Sequence, residues 1–246
     1  MKKRNRDIDN AGIENKPLGE EDYAEDEDAI EKTQNFIQKY RNYIIGASAV
    51  IILVISGFFY FRSVNEANEK KAAIALSRIK PYLKSSNTEL ALKSSPQLKV
   101  RGQSVLGLEQ IISEYKGTAA GKLAALYAGN IYLLDNKNKE AERCFEIAAD
   151  ANSNLIICGA DAGLAAVKEN AGQFKEAAQL YGDAASLTED EFIKYKYLYY
   201  SGLCYEKSGE KEKAERSYKT IINENQYSEF ATHAKSGLTR LGIEIE

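Results

Sequence analysis

Beyond residue 100 the apolar side chains recur at helical spacing and no proline interrupts them, so the chain predicts helix after helix to its end. Upstream the pattern changes. Tyr43 to Phe61 is a run of 19 residues without a charge, bracketed by Arg41 and Arg62. At 1.5 Å per residue it reaches about 28 Å, close to the roughly 30 Å of a bilayer's hydrocarbon. Ser48 and Ser56 are the only small polar side chains in it, and Tyr40, Tyr43, Phe58, Phe59, Tyr60 and Phe61 gather at its two ends, where rings favour the membrane interface. An acidic stretch of 42 residues precedes it and no small-x-small cleavage pattern follows, which predicts an uncleaved membrane anchor.

The remaining segments follow from composition. Glu20 to Asp28 carries seven acids in nine positions, so residues 1–28 are expected to form a disordered acidic tail. A helix over 29–62 then contains the span 43–61. Val64 to Ile79 continues as helix and stops near Pro81. The Ser/Asn/Pro-containing chain after it reads as a hinge, which makes 63–99 a helical linker ahead of a repeat domain over 100–246.

Self-similarity defines that domain. Ala141, Ala177 and Ala214 lie 36 and 37 positions apart. Twelve residues before each stand Gly129, Ala165 and Gly202; four after stand Phe145, Tyr181 and Tyr218. Tyr132 and Tyr205 share an aromatic position in the first helix of their units, and Gly172 and Gly209 fall where a residue at positive φ would end that helix. Ile111-Ile112-Ser113-Glu114 returns as Ile221-Ile222-Asn223-Glu224, three periods later. Small residues let paired helices approach, and large ones fill the gap to the next pair. The fold class is therefore all-α: an N-terminal transmembrane helix, then a solenoid like that of tetratricopeptide repeats, with three helical hairpins, a half-unit and a capping helix. Ser228 is the expected N-cap of that last helix, and Thr188 to Glu191 reads as a capping box starting the third hairpin.

Charge narrows the function. The net charge is −3, with 8 basic and 11 acidic residues in 1–61 and 25 of each in 62–246, so the repeat domain is neutral and carries no electrostatic footprint for nucleic acid. Cys144, Cys158 and Cys204 have no metal-ligand or disulfide-framework spacing and read as small buried hydrophobes. His233 is the sole histidine, and nucleotide, hydrolase and metalloprotease motifs are absent, so no enzyme, metal or cofactor is expected.

The combination of acidic tail, single span and hairpin residues resembles the YfgM-like family, an ancillary subunit of the bacterial SecYEG translocon. It is more loosely similar to the repeat domain of Tol-Pal-associated coordinators. The resemblance implies an inner-membrane anchor with a cytoplasmic N-terminus, lipid contact through 43–61 and a periplasmic repeat domain near translocon, chaperones or secretory clients. Basic residues flank the span on both sides, so charge alone does not fix the orientation.

What is left is binding to proteins. A stacked array presents the first helix of each hairpin along a concave groove. With Lys122, Cys158 and Tyr195 as first positions, the inward residues are Leu123, Leu126, Asn130 and Leu133; Gly159, Ala162, Ala166 and Glu169; and Lys196, Tyr199, Leu203 and Glu206. This groove is mostly apolar and suits an extended or helical protein segment. The expected function is a membrane-anchored scaffold in translocation and chaperone hand-off; the alternative is a coordinator of cell-envelope assembly acting through self-association or Tol-Pal-type partners.

Overall fold

The computed structural model describes residues 20–84, 88–94, 99–100 and 102–244. It divides into two units, residues 1–61 and 62–246. Of the tail expected to be disordered, 1–19 lie outside the described residues, and helix α1, Glu20–Ile79, already includes Glu20 to Asp28.

In the first unit every side chain from Ile45 to Phe61 is exposed. Among the described residues one stretch, Ile45–Leu83, is helical, long and apolar enough to cross a membrane, judged by length and composition.

The second unit is the repeat domain. After α1 come a 3-10 turn, Lys80–Lys84, the short helix α2, Thr88–Leu92, and a two-residue antiparallel ladder of β1, Lys99–Val100, and β2, Gln103–Ser104. Eight more helices follow: α3 Leu108–Tyr115, α4 Ala119–Leu134, α5 Asn138–Ala149, α6 Asn154–Asn170, α7 Phe174–Ser186, α8 Glu191–Lys207, α9 Lys211–Glu224 and α10 Glu229–Arg240. Successive helices pack on one another from α3 to α10, as an array of hairpins requires. The pairs α4/α5, α6/α7 and α8/α9 are the three predicted units; α3 is the half-unit and α10 the cap.

The turns inside the hairpins share one chemistry. Gly172 and Gly209 sit at φ 74° and 79°. In both, the glycine N–H and the N–H after it return to carbonyls of the last helical turn, at 2.9 and 2.9 Å after α6 and 3.1 and 2.9 Å after α8. The first hairpin closes in the same way with Asn136 at φ 58°, a residue type that tolerates the left-handed region. Ser228 caps α10 by accepting from Ala231 N at 3.1 Å, as expected. The capping box at Thr188 is corrected: the cap of α8 is Asp190, which accepts from Ile193 N at 3.1 Å, while Thr188 Oγ1 accepts from Asp190 N.

Aromatic residues lock one hairpin to the next. Phe145 is fully buried, and a Cβ placed on either Gly129 of its own hairpin or Gly163 of the next would come within 3.0 Å of its ring. Tyr218 is held likewise between Gly202 and Gly237. Ala141, Ala177 and Ala214 are fully buried at the close approach of paired helices. Ala165 and Tyr181 share the core of the middle unit.

The end of α1 belongs to this core. Ala72, Ala75, Leu76 and Ile79 form an i, i+3, i+4, i+7 stripe, all buried in one cluster with Leu108, Ile111, Ala124 and Ala128. Glu69 accepts from the N–H groups of Ala119 and Ala120 at 2.7 and 3.0 Å, placing a carboxylate on the positive N-terminus of α4. Thr118 adds the ordinary cap, accepting from Gly121 N at 3.0 Å. Residues expected to link anchor and repeats thus close the open side of the first hairpin.

Candidate functional site

The candidate site is the face formed by the first helices of the hairpins, α4, α6 and α8, continued by α10. Each is positioned by its partner helix through the buried alanines and aromatics. The expected inward residues of α6 are not open: Ala162 is buried and Gly159, Ala166 and Glu169 are half-buried, so α6 is exposed only at its ends.

Two apolar side chains at equivalent positions, 37 apart, stand out from this surface: Leu155 near the start of α6 is 72 % exposed and Phe192 near the start of α8 is 57 % exposed. Phe192 meets Phe230 of α10 edge-on at 5.3 Å between ring centroids. Tyr199, two turns further along α8, packs against Phe230 at 6.1 Å and against the exposed His233 at 5.4 Å. Lys196 lies between Phe192 and Tyr199 in the helix, its ammonium 5.7 and 6.0 Å from the rings of Tyr197 and Tyr200. The result is a ledge of aromatic surface with one cation, built on two rigid helices.

The groove residues named from the sequence divide between this open surface and internal bonds. Asn130 is exposed; Leu133 and Leu203 are half-buried. Leu123 and Leu126 are half-buried as well, and Leu126 leans on the backbone of Gly159, where a Cβ would stand 3.1 Å from its Cδ2. Glu169 accepts from Lys207 at 2.7 Å and from Tyr181 at 3.4 Å. Glu206 accepts from Tyr218 at 2.9 Å and from two guanidinium nitrogens of Arg240, each at 2.9 Å. Glu169 thus ties the second hairpin to the third, and Glu206 ties the third to the cap. The Arg240 bonds hold the Glu206 carboxyl below the usual range, with the Tyr218 hydroxyl acting in the same direction.

The first-helix aromatics also differ in role. Tyr195 is buried toward α9 and α10, while Tyr197 and Tyr200 lie against Tyr181 at 6.2 and 5.4 Å. Tyr132 donates to Glu109, fixing α4 on α3. Tyr205 is half-buried, with the Lys213 ammonium 5.4 Å from its ring. Sequence reasoning missed Phe192, Leu155 and Phe230. Their signal was available: a large apolar residue at the second position of α6, α8 and α10, two residues after the capping residue in each.

The surroundings of the three cysteines do not activate their thiols. Cys144, Cys158 and Cys204 are buried and free; burial pushes the Cys144 thiol up to about 11 and the Cys204 thiol up to about 12, leaving both neutral at physiological pH.

The model of the tetratricopeptide repeat-like domain family matches residues 34–242. No curated protein and no solved structure matches the chain.

Proposed function

Because the chain belongs to the tetratricopeptide repeat-like domain family, whose repeats are interaction modules, we propose that it is a membrane-anchored scaffold that binds other proteins on its first-helix face. The exposed side chains of Leu155 and Phe192 carry this reading, the latter backed by half-buried Tyr199 and Phe230, because large apolar side chains held open to solvent on a rigid array mark a protein-binding surface. The ligand is an extended or helical segment with apolar anchors. The apolar stretch 43–61 supports the anchor. The resemblance to the YfgM-like family supports a periplasmic repeat domain serving the translocon, its chaperones or secretory clients, with no catalysis of its own.

The double variant Leu155→Ser/Phe192→Ser tests this in full-length protein. Both side chains are exposed, so thermal stability should change by no more than about 0.5 kcal/mol. Partners that copurify with wild type from native membranes should be lost. Retention of those partners by a normally folded double variant would contradict the proposal.

A further inference from the structure

A second surface lies on α1 just beyond the apolar stretch. Val64, Ala67, Lys71, Ile74 and Arg78 repeat at alternating steps of three and four, the spacing of a coiled-coil seam. This seam runs to one side of the buried stripe of Ala72, Ala75, Leu76 and Ile79 that holds α1 in the core. Val64, Ala67 and Lys71 are exposed, Ile74, a β-branched aliphatic, is 51 % exposed, and Arg78 is half-buried. Two clefts of about 410 and 280 Å³ open beside it, walled by Val100, Leu106 and Tyr115.

The charge of this face is one-sided. The only carboxylates between residues 62 and 80 are Glu66 and Glu69. Glu66 pairs with Arg62 at 3.2 Å, and Glu69 is occupied by the N-terminus of α4. Arg78 donates to the neutral amide of Gln103, and no ion pair of Lys70, Lys71, Arg78 or Lys80 is found among the described residues. An aliphatic knob thus stands between two uncompensated cations, three residues before it and four after.

We propose that this seam docks a helix of another protein that carries carboxylates seven residues apart with an aliphatic side chain between them. Its aliphatic residue covers Ile74 while the carboxylates meet Lys71 and Arg78. A second copy of this chain is the wrong occupant: parallel alignment sets Lys71 against Lys71 and Arg78 against Arg78, a like-charge contact at both ends of the apolar step. The seam lies on α1, apart from the first-helix face, so the two surfaces can be occupied by different partners.

The test uses full-length protein in phosphatidylcholine nanodiscs and a lactam-stapled two-heptad peptide with leucine at the seam and glutamate opposite Lys71 and Arg78. A matched peptide carries lysine in place of glutamate. By fluorescence anisotropy, wild type should bind the acidic probe, and Lys71→Glu/Arg78→Glu should weaken it by about tenfold or more while gaining affinity for the lysine probe. Ile74→Ser should weaken the acidic probe, and Arg78→Lys should preserve it. None of these side chains belongs to the buried stripe, and circular dichroism checks that each variant is folded. Equal binding of both probes by wild type, an unchanged affinity in the charge-reversed variant, or efficient Ile74→Cys disulfide crosslinking of two copies would each overturn the proposal. So would loss of the acidic probe's binding in Arg78→Lys, since charge would then not be what recognises it. Failure of this test leaves the Leu155/Phe192 result unaffected, because that ledge lies on other helices.

Discussion

The junctions between hairpins are built in two ways. Between the first and second hairpins, and again between the third and the cap, an aromatic ring is clasped by two glycines: Phe145 by Gly129 and Gly163, Tyr218 by Gly202 and Gly237. At the middle junction the equivalent of Gly129 and Gly202 is Ala165, and the equivalent of Gly163 and Gly237 is Tyr200, 37 positions from each. No space remains for a clasp there. Tyr181 instead lies against Tyr200 and Tyr197, tilted by 55° to the former and stacked at 24° to the latter. The same backbone period therefore accepts two packing solutions. One sacrifices helix propensity at two glycines to let a ring in; the other keeps better helix formers and layers rings side by side. The layered junction also places Lys196 over Tyr197 and Tyr200, next to the aromatic ledge proposed to bind partners.

The contrast can be broken most severely at the clasped ring. Phe145→Ala leaves a fully buried void and should cost about 3–5 kcal/mol, read by thermal or urea unfolding of full-length protein. Gly163→Ala and Gly237→Ala come next, each forcing a methyl within 3.0 Å of a ring that its surroundings hold in place, and each should cost about 1–3 kcal/mol. Gly182→Ala sharpens the comparison by reversing its sign. A Cβ there meets only Ser201 Oγ, at 3.6 Å, so this helix should gain up to about 1 kcal/mol.

Acid separates the last junction from the others by a smaller effect. Because Arg240 holds the Glu206 carboxyl below its unfolded value of about 4.3, the bond's contribution is complete above that pH and is lost as pH falls through the lower folded value. Amide protection of α10 should drop over that interval in wild type, and Arg240→Gln should flatten the dependence. Hydrogen exchange followed by mass spectrometry reads both.

Much of this architecture can be read in the sequence because its signal is periodic. Spacing alone picked out Ala141, Ala177 and Ala214, and with them Phe145, Tyr181 and Tyr218, all of which are buried. The second half of each clasp was not legible in the same way. Gly163 and Gly237 belong to the following hairpin, and Tyr200 at the same position hides the repeat. Asn136 took a glycine's place in the first turn because asparagine also tolerates positive φ. The cationic partners of Glu169 and Glu206 come from 38 and 34 residues away, beyond any local pattern, which is why both carboxylates look like groove contacts in the sequence. The stripe from Ala72 to Ile79 does have helical periodicity, but it follows an apolar run so strong that it reads as the run's continuation.

The central claim, that the first-helix face meets other proteins, is tested most directly by photocrosslinking in native membranes. A benzophenone side chain at position 155 or 192 reports on the proposed face, and one at Arg216, exposed on α9, reports on the second helices. The account predicts discrete protein adducts from 155 and 192 and none of the same species from 216. Adducts of equal yield from all three positions, or from 216 alone, would contradict it.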